Sequence, residues 1–152
     1  MQFLNNYSNR ELNIWAELIL DILVSFYFFP KIFPLIIDGQ LYSEALVDII
    51  ATSIIIAIIY SIFVFGAINT LTKREEKDER DYIYELKSYR ISNIIFHVSI
   101  YLLISLIVFN PINQVRLNEF TAPMIAMILP IITLLSSIGK CLTQLFNYRK
   151  NI

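Results

Sequence analysis

The sequence predicts an all-α integral membrane protein, a single domain over residues 1–152 folded as a four-transmembrane-helix bundle with both termini inside the cell. Three observations predict it. Four stretches nearly free of charge are each long enough to span lipid, where a hydrocarbon core about 30 Å thick needs about 20 helical residues. Charge is set apart from them: residues 73–90 hold six of the twelve basic and six of the thirteen acidic residues. The remaining basic residues also favour one side of the predicted membrane. Composition agrees, with 57% hydrophobic and 16% charged residues and a mean hydropathy of +0.61, against about 25% charged in a typical soluble domain.

The first predicted helix covers about 12–37, with Pro30 and Pro34 expected to bend or end it. The polar stretch before it lacks the basic start, short apolar run and cleavage site of a signal peptide, so this segment is expected to be retained. The second covers 44–71 and the third 79–109. The third stops before Pro111, because the residue preceding a proline disfavours helical backbone. The fourth covers 122–146, and Pro130 within it can kink where neighbouring helices re-satisfy the freed backbone. The charged segment 72–90 reads as helix at its far end. Asp78 and Asp81 resemble a capping box with Asp in place of the usual Glu or Gln, and Glu76 with Arg80 and Lys77 with Asp81 have pairing distance at i,i+4.

Orientation follows from the basic residues. With the N-terminus inside, Arg10, the six of the charged loop, Lys140, Arg149 and Lys150 lie inside, against Lys31 and Arg116 outside. Tyr7, Tyr82, Tyr84, Tyr89 and Tyr148 then fall near the inner interface as an aromatic belt. The expected location is a cell inner (cytoplasmic) membrane, with loop 72–90 cytoplasmic.

Ionisable groups within the hydrocarbon are costly and are functional candidates by default. Glu17 and Asp21 lie about 10 and 16 Å beyond Arg10, His97 about 10 Å beyond Arg90, and Lys140 about 13 Å short of Arg149 at helical rise. All four fall at similar depth, so they are expected to form an intramembrane polar cluster, and a His beside a carboxylate can titrate near neutral pH. The plainer alternative is that Glu17 and Lys140 snorkel to the interface and Asp21 pins helix packing. On the fourth helix, Thr133, Ser136, Lys140, Gln144 and Asn147 recur at three- and four-residue steps, a polar stripe expected to face the interior. Ser53, Ala57 and Ser61 place a small residue at every fourth position of the second helix, which permits close approach.

In the loop, Asp78, Glu79, Arg80 and Asp81, with Lys87 and Arg90, are candidates for docking a soluble partner. Lys87 and Arg90, with Lys73 and Arg74, are also candidates for anionic lipid headgroups, although such a run is commonly a solvated face. A single cysteine, Cys141, excludes an intramolecular disulfide framework. No His-rich metal spacing, Gly-rich phosphate loop, GxSxG or HExxH is present, so neither a metal nor a cofactor is expected, nor an enzyme. Without a basic face, no direct nucleic-acid contact is expected.

Asp78-Glu79-Arg80-Asp81, followed by Ile83, Glu85, Leu86, Lys87 and Arg90, resembles a group of small, uncharacterised four-helix bacterial membrane proteins. These carry a DERD-type motif in the loop before the third helix. The resemblance extends to Trp15 and Glu17 early in the first helix and to Tyr148, Arg149 and Lys150 at the end of the last. Members often accompany small helix-turn-helix regulators, which implies a membrane-bound sensor or sequestering partner, and the group offers no activity to carry over. The chain departs from the commoner pattern at Ser88-Tyr89 and in its aromatic-rich first helix. Three functions are weighed. The first is a non-enzymatic regulatory protein docking a cytoplasmic partner. The second is an oligomeric channel, transporter or membrane-permeabilising defence or immunity effector. The third, a lipid-modifying enzyme, has only Glu17 and Asp21 to rest on. The expected partners are membrane lipids, a second copy of the chain as a homo-oligomer, and a cytoplasmic protein such as a helix-turn-helix regulator.

Overall fold

The structure is a computed structural model and describes residues 9–38, 44–71, 78–109 and 122–150. Every secondary-structure element in them is helical. Helix α1 spans Asn9–Ile37, α2 spans Glu44–Leu71, α3 spans Glu79–Phe109 and α4 spans Ala122–Lys150. All four are long and apolar enough to cross a membrane. The 29 residues of α1 amount to about 43 Å of helix, more than the hydrocarbon thickness.

Local chemistry explains where the helices run. The Asn13 amide donates to the Asn9 carbonyl (2.9 Å) and to the Asn9 side-chain oxygen (2.7 Å), which closes the first turn of α1 three residues before the expected start. Pro30 and Pro34 lie inside α1 without ending it. The Asp38 N–H donates to the Pro34 carbonyl (2.9 Å), completing the last turn. Pro130 likewise lies inside α4, where the Thr133 hydroxyl donates to the Pro130 carbonyl (2.8 Å). At the start of α3 the capping is reciprocal only in part. The Asp78 N–H donates to Asp81 Oδ2 (2.9 Å), but the Asp78 carboxylate accepts from its neighbour Glu79 N–H (2.6 Å). Glu76 and Lys77, with Lys73, Arg74, Tyr7 and Arg116, lie outside the described residues.

The four helices form a bundle with a definite adjacency. Helices α1 and α4 pack on each other at the centre, α2 lies mainly against α1, and α3 lies against α4 in the most extensive helix pair. Two apolar clusters fill the bundle. Phe28 and Ile32 of α1, Leu46 and Ile49 of α2 and Met127 of α4 form one. Ile14 and Leu18 of α1 with Cys141 and Leu145 of α4 form the other. Burying each large aliphatic side chain contributes about 1.5–3 kcal/mol in water, and close packing and interhelical hydrogen bonds add to it. The α3–α4 seam shows both. A methyl group at Gly139 would overlap Ile95 Cδ1. Ser136 Oγ donates to the Ser92 carbonyl (2.9 Å), so Ser92 Oγ is the donor in the 2.8 Å contact between the two hydroxyls.

Helix α2 contains a π-helical turn at Ser61–Phe65. Just before it, the Tyr60 hydroxyl donates to the Ala16 carbonyl of α1 (3.0 Å). Such turns rotate the following side chains relative to a regular α-helix, and Phe65 joins the wall of the cavity described next. Ser53 and Ala57 line an apolar recess of about 380 Å³ with Phe28 of α1 and Pro130 and Thr133 of α4.

Candidate functional site

A polar cavity of about 200 Å³ opens where the start of α1, the start of α3 and the end of α4 converge. Its wall carries two cations, Arg10 and Lys140, and three carboxylates, Glu17, Asp81 and Glu85, together with Asn13, Tyr89, Gln144 and Tyr148. Residues far apart in the chain meet here because the up-and-down course returns α3 and α4 to the level where α1 begins.

Two cross-helix ion pairs organise the site. Lys140 of α4 donates to Glu17 Oε1 of α1, and its ammonium also lies 5.4 Å from the centre of the Tyr89 ring of α3. The second pair joins Arg10 of α1 to Asp81 of α3, with side chains only 19% and 17% exposed. Asp81 does more than pair. Its Oδ1 accepts from the Tyr148 hydroxyl of α4 (2.7 Å), while Oδ2 faces Arg10 and caps α3 through the Asp78 N–H. Tyr148 is held in turn by an edge-on contact with Tyr84, ring centres 5.3 Å apart. The Arg149 guanidinium lies 5.6 Å from the Trp15 ring centre. Asp81 thus joins three helices at one carboxylate, a charge-assisted arrangement roughly twice as strong as neutral hydrogen bonds.

Asp21 lies one turn beyond Glu17 along α1. It is buried at 7% exposure, and its Oδ2 has no hydrogen-bond partner among the described residues. Ser137 of α4 is its hydrogen-bonding neighbour, and Glu17 and Lys140 are the charges nearest it. The structure therefore gathers Glu17, Asp21 and Lys140 in one region. It does not bring His97 there. His97 is exposed, and its Nδ1 bonds to the Asn93 carbonyl (2.8 Å) within α3. The reason is angular: at about 100° per residue, His97 lies about 140° around α3 from Ser92, the residue that faces α4.

The stripe on α4 divides among several neighbours. Ser136 bonds to Ser92, whereas Lys140 and Gln144 line the cavity. Thr133 is exposed, and the Asn147 amide donates to the Thr143 carbonyl (2.8 Å). The charged segment divides too. Asp81 is engaged internally and Asp78 caps α3, while Glu79, Arg80, Lys87 and Arg90 are exposed. Arg90 borders a groove shared with Ser92, Asn93, Phe96 and Ser136.

The Arg10–Asp81–Tyr148 junction has no counterpart in the sequence reading, because no local spacing relates residues so far apart. The same holds for Tyr60 and Ala16. Among the described residues, no three His, Cys, Asp or Glu side chains gather as metal ligands. No family model, curated protein or solved structure matches the chain.

Proposed function

We propose that this chain is a non-enzymatic protein of a bacterial inner membrane, N-in and C-in, that docks a cytoplasmic protein through the first turn of α3. One observation carries the reading. Glu79 and Arg80 stand exposed on a helix start that Asp81 ties to both α1 and α4. A contact at those side chains therefore bears on a junction common to three helices, which suits a regulatory protein better than a passive anchor. A small helix-turn-helix regulator is the partner this reading favours, and Lys87 and Arg90 lie where anionic headgroups would meet the chain.

The test places a photocrosslinking amino acid at position 80 in living cells. The expected product is an adduct with a cytoplasmic protein that is lost on Glu79→Lys; absence of any adduct at positions 79 and 80 would refute docking. An impermeant thiol reagent should label Glu79→Cys only after the cells are opened. Labelling in intact cells would reverse the topology.

A second reading, an oligomeric channel, transporter or membrane-permeabilising effector, draws support from Asp21, a buried carboxylate with an unpartnered oxygen. It requires flux into liposomes that Asp21→Asn or Lys140→Met abolishes.

A further inference from the structure

Helix α3 buries the smallest share of its apolar stretch inside the protein, and its extensive packing is against α4 alone. Most of its circumference is therefore unpartnered. That free surface is not uniformly apolar. Asn93, His97, Ile100 and Ile104 follow alternating steps of four, three and four residues, which place them on one face, and Asn93, His97 and Ile104 are exposed. At about 100° per residue the centre of this face lies about 140° from the Ser92 and Ile95 side that meets α4, with Asn93 on the edge of the groove shared with Ser136.

The two polar members lack what lipid would demand. Among the described residues, the Asn93 amide has no hydrogen-bond partner. His97 uses only Nδ1, on the Asn93 carbonyl. A carbonyl can only accept, so Nδ1 donates to it, and Nε2 makes no hydrogen bond among the described residues. His97 lies about 10 Å beyond Arg90 along α3, where an imidazole nitrogen without a partner is costly in hydrocarbon, and Asn93 stands one turn nearer Arg90, at the mouth of the same face. Membrane helices meet that cost by hydrogen bonding to another helix.

We propose that this face of α3 binds α3 of a second copy of the chain, in a parallel two-fold pair centred on Asn93 and His97. This rests on the reading of α3 as a membrane span. Two copies inserted with the same topology have parallel α3 helices, so residues on the axis meet their own counterparts. Asn is complementary to itself, because its amide both donates and accepts. A single Asn in an otherwise apolar three-four seam sets register and a two-stranded state. Ile100 and Ile104 continue the seam as apolar contacts deeper in the span. The pairing leaves the polar cavity open, since that lies on the α4 side, and Glu79 and Arg80 stand about 20 Å from Asn93 toward the start of α3.

Disulfide crosslinking in native membranes tests the proposal. Ile104→Cys reports the seam while leaving Asn93 and His97 intact, and Leu102→Cys, which is also exposed, reports the opposite flank. The unmodified chain serves as control, because its sole cysteine, Cys141, is fully buried. On mild oxidation, Ile104→Cys should give a product of twice the monomer mass, and Leu102→Cys and the control should not. Adding Asn93→Leu to Ile104→Cys should lower that product at least several-fold. Equal crosslinking at both positions, no product at Ile104→Cys, a product of another mass, or indifference to Asn93→Leu would overturn it. Extraction of the chain by alkaline carbonate would instead overturn the membrane reading, and this inference with it.

Discussion

Replacing Asp81 by Ala removes three interactions at once: the Arg10 ion pair, the hydrogen bond from Tyr148 and the cap on the Asp78 N–H. A hydrogen bond to a charged group contributes about 1.5–3 kcal/mol and an N-terminal cap about 1 kcal/mol. With the junction about one-fifth exposed, screening trims the ion pair toward the low end, and a net loss of about 3 kcal/mol follows. For a chain of this size that lowers the melting temperature by about 6–12 °C. Cys141 is a built-in reporter. Its thiol is fully buried between α1 and α4 and becomes reactive to a thiol-specific dye when that packing opens. Melting curves read by dye labelling in detergent should therefore show the loss for Asp81→Ala and a smaller one, about 1 kcal/mol, for Tyr148→Phe, which removes a single bond. Glu79→Ala, one turn position away but exposed, should stay within about 0.5 kcal/mol of the parent. If Asp81→Ala melts within about 2 °C of the parent, the carboxylate is not a structural junction, and Asp81 returns to the set of surface residues available for docking.

Two further perturbations follow from the same packing. Lys140→Met leaves the Glu17 carboxylate facing Asp21 without its cation, so it should destabilise by about 2–3 kcal/mol in the dye assay. The double variant Glu17→Gln/Lys140→Met should recover most of this loss, and equal damage in both would refute the pairing. Gly139→Ala should cost about 1 kcal/mol by overpacking against Ile95, yet become neutral or stabilising in an Ile95→Val background, which removes the clashing Cδ1. Additive effects in that double-variant cycle would show that the two positions do not touch.

Much of the fold is legible in the residues because its causes are local. Four runs nearly free of charge, separated by turn-forming or charged segments, specify four long helices whatever surrounds them, and Asp78 marks the start of α3 through its carboxylate, which accepts from the Glu79 N–H. The Glu17, Asp21 and Lys140 grouping is also legible, since equal depth in an up-and-down bundle puts ionisable groups at one level. Depth says nothing about azimuth, however. His97 shares the level but points about 140° from the Ser92 position of its helix, on one face with Asn93, Ile100 and Ile104.

What only the tertiary structure decided is which neighbour each polar group faces. The order of the sequence does not reveal that α1 and α4 form the centre with α2 and α3 on the flanks, because helices apolar around most of their circumference carry little directional preference and small differences in packing choose among arrangements. That choice turned Asp81 from one charge in an exposed run into the junction of Arg10, Tyr148 and the α3 cap. It also left α3 with a polar face unmatched within its own chain. The sequence by itself determined the lengths, charges and periodicities, which depend on residues close along the chain. Pairings across dozens of residues depend on how helices rotate and dock, and that is a property of the folded bundle.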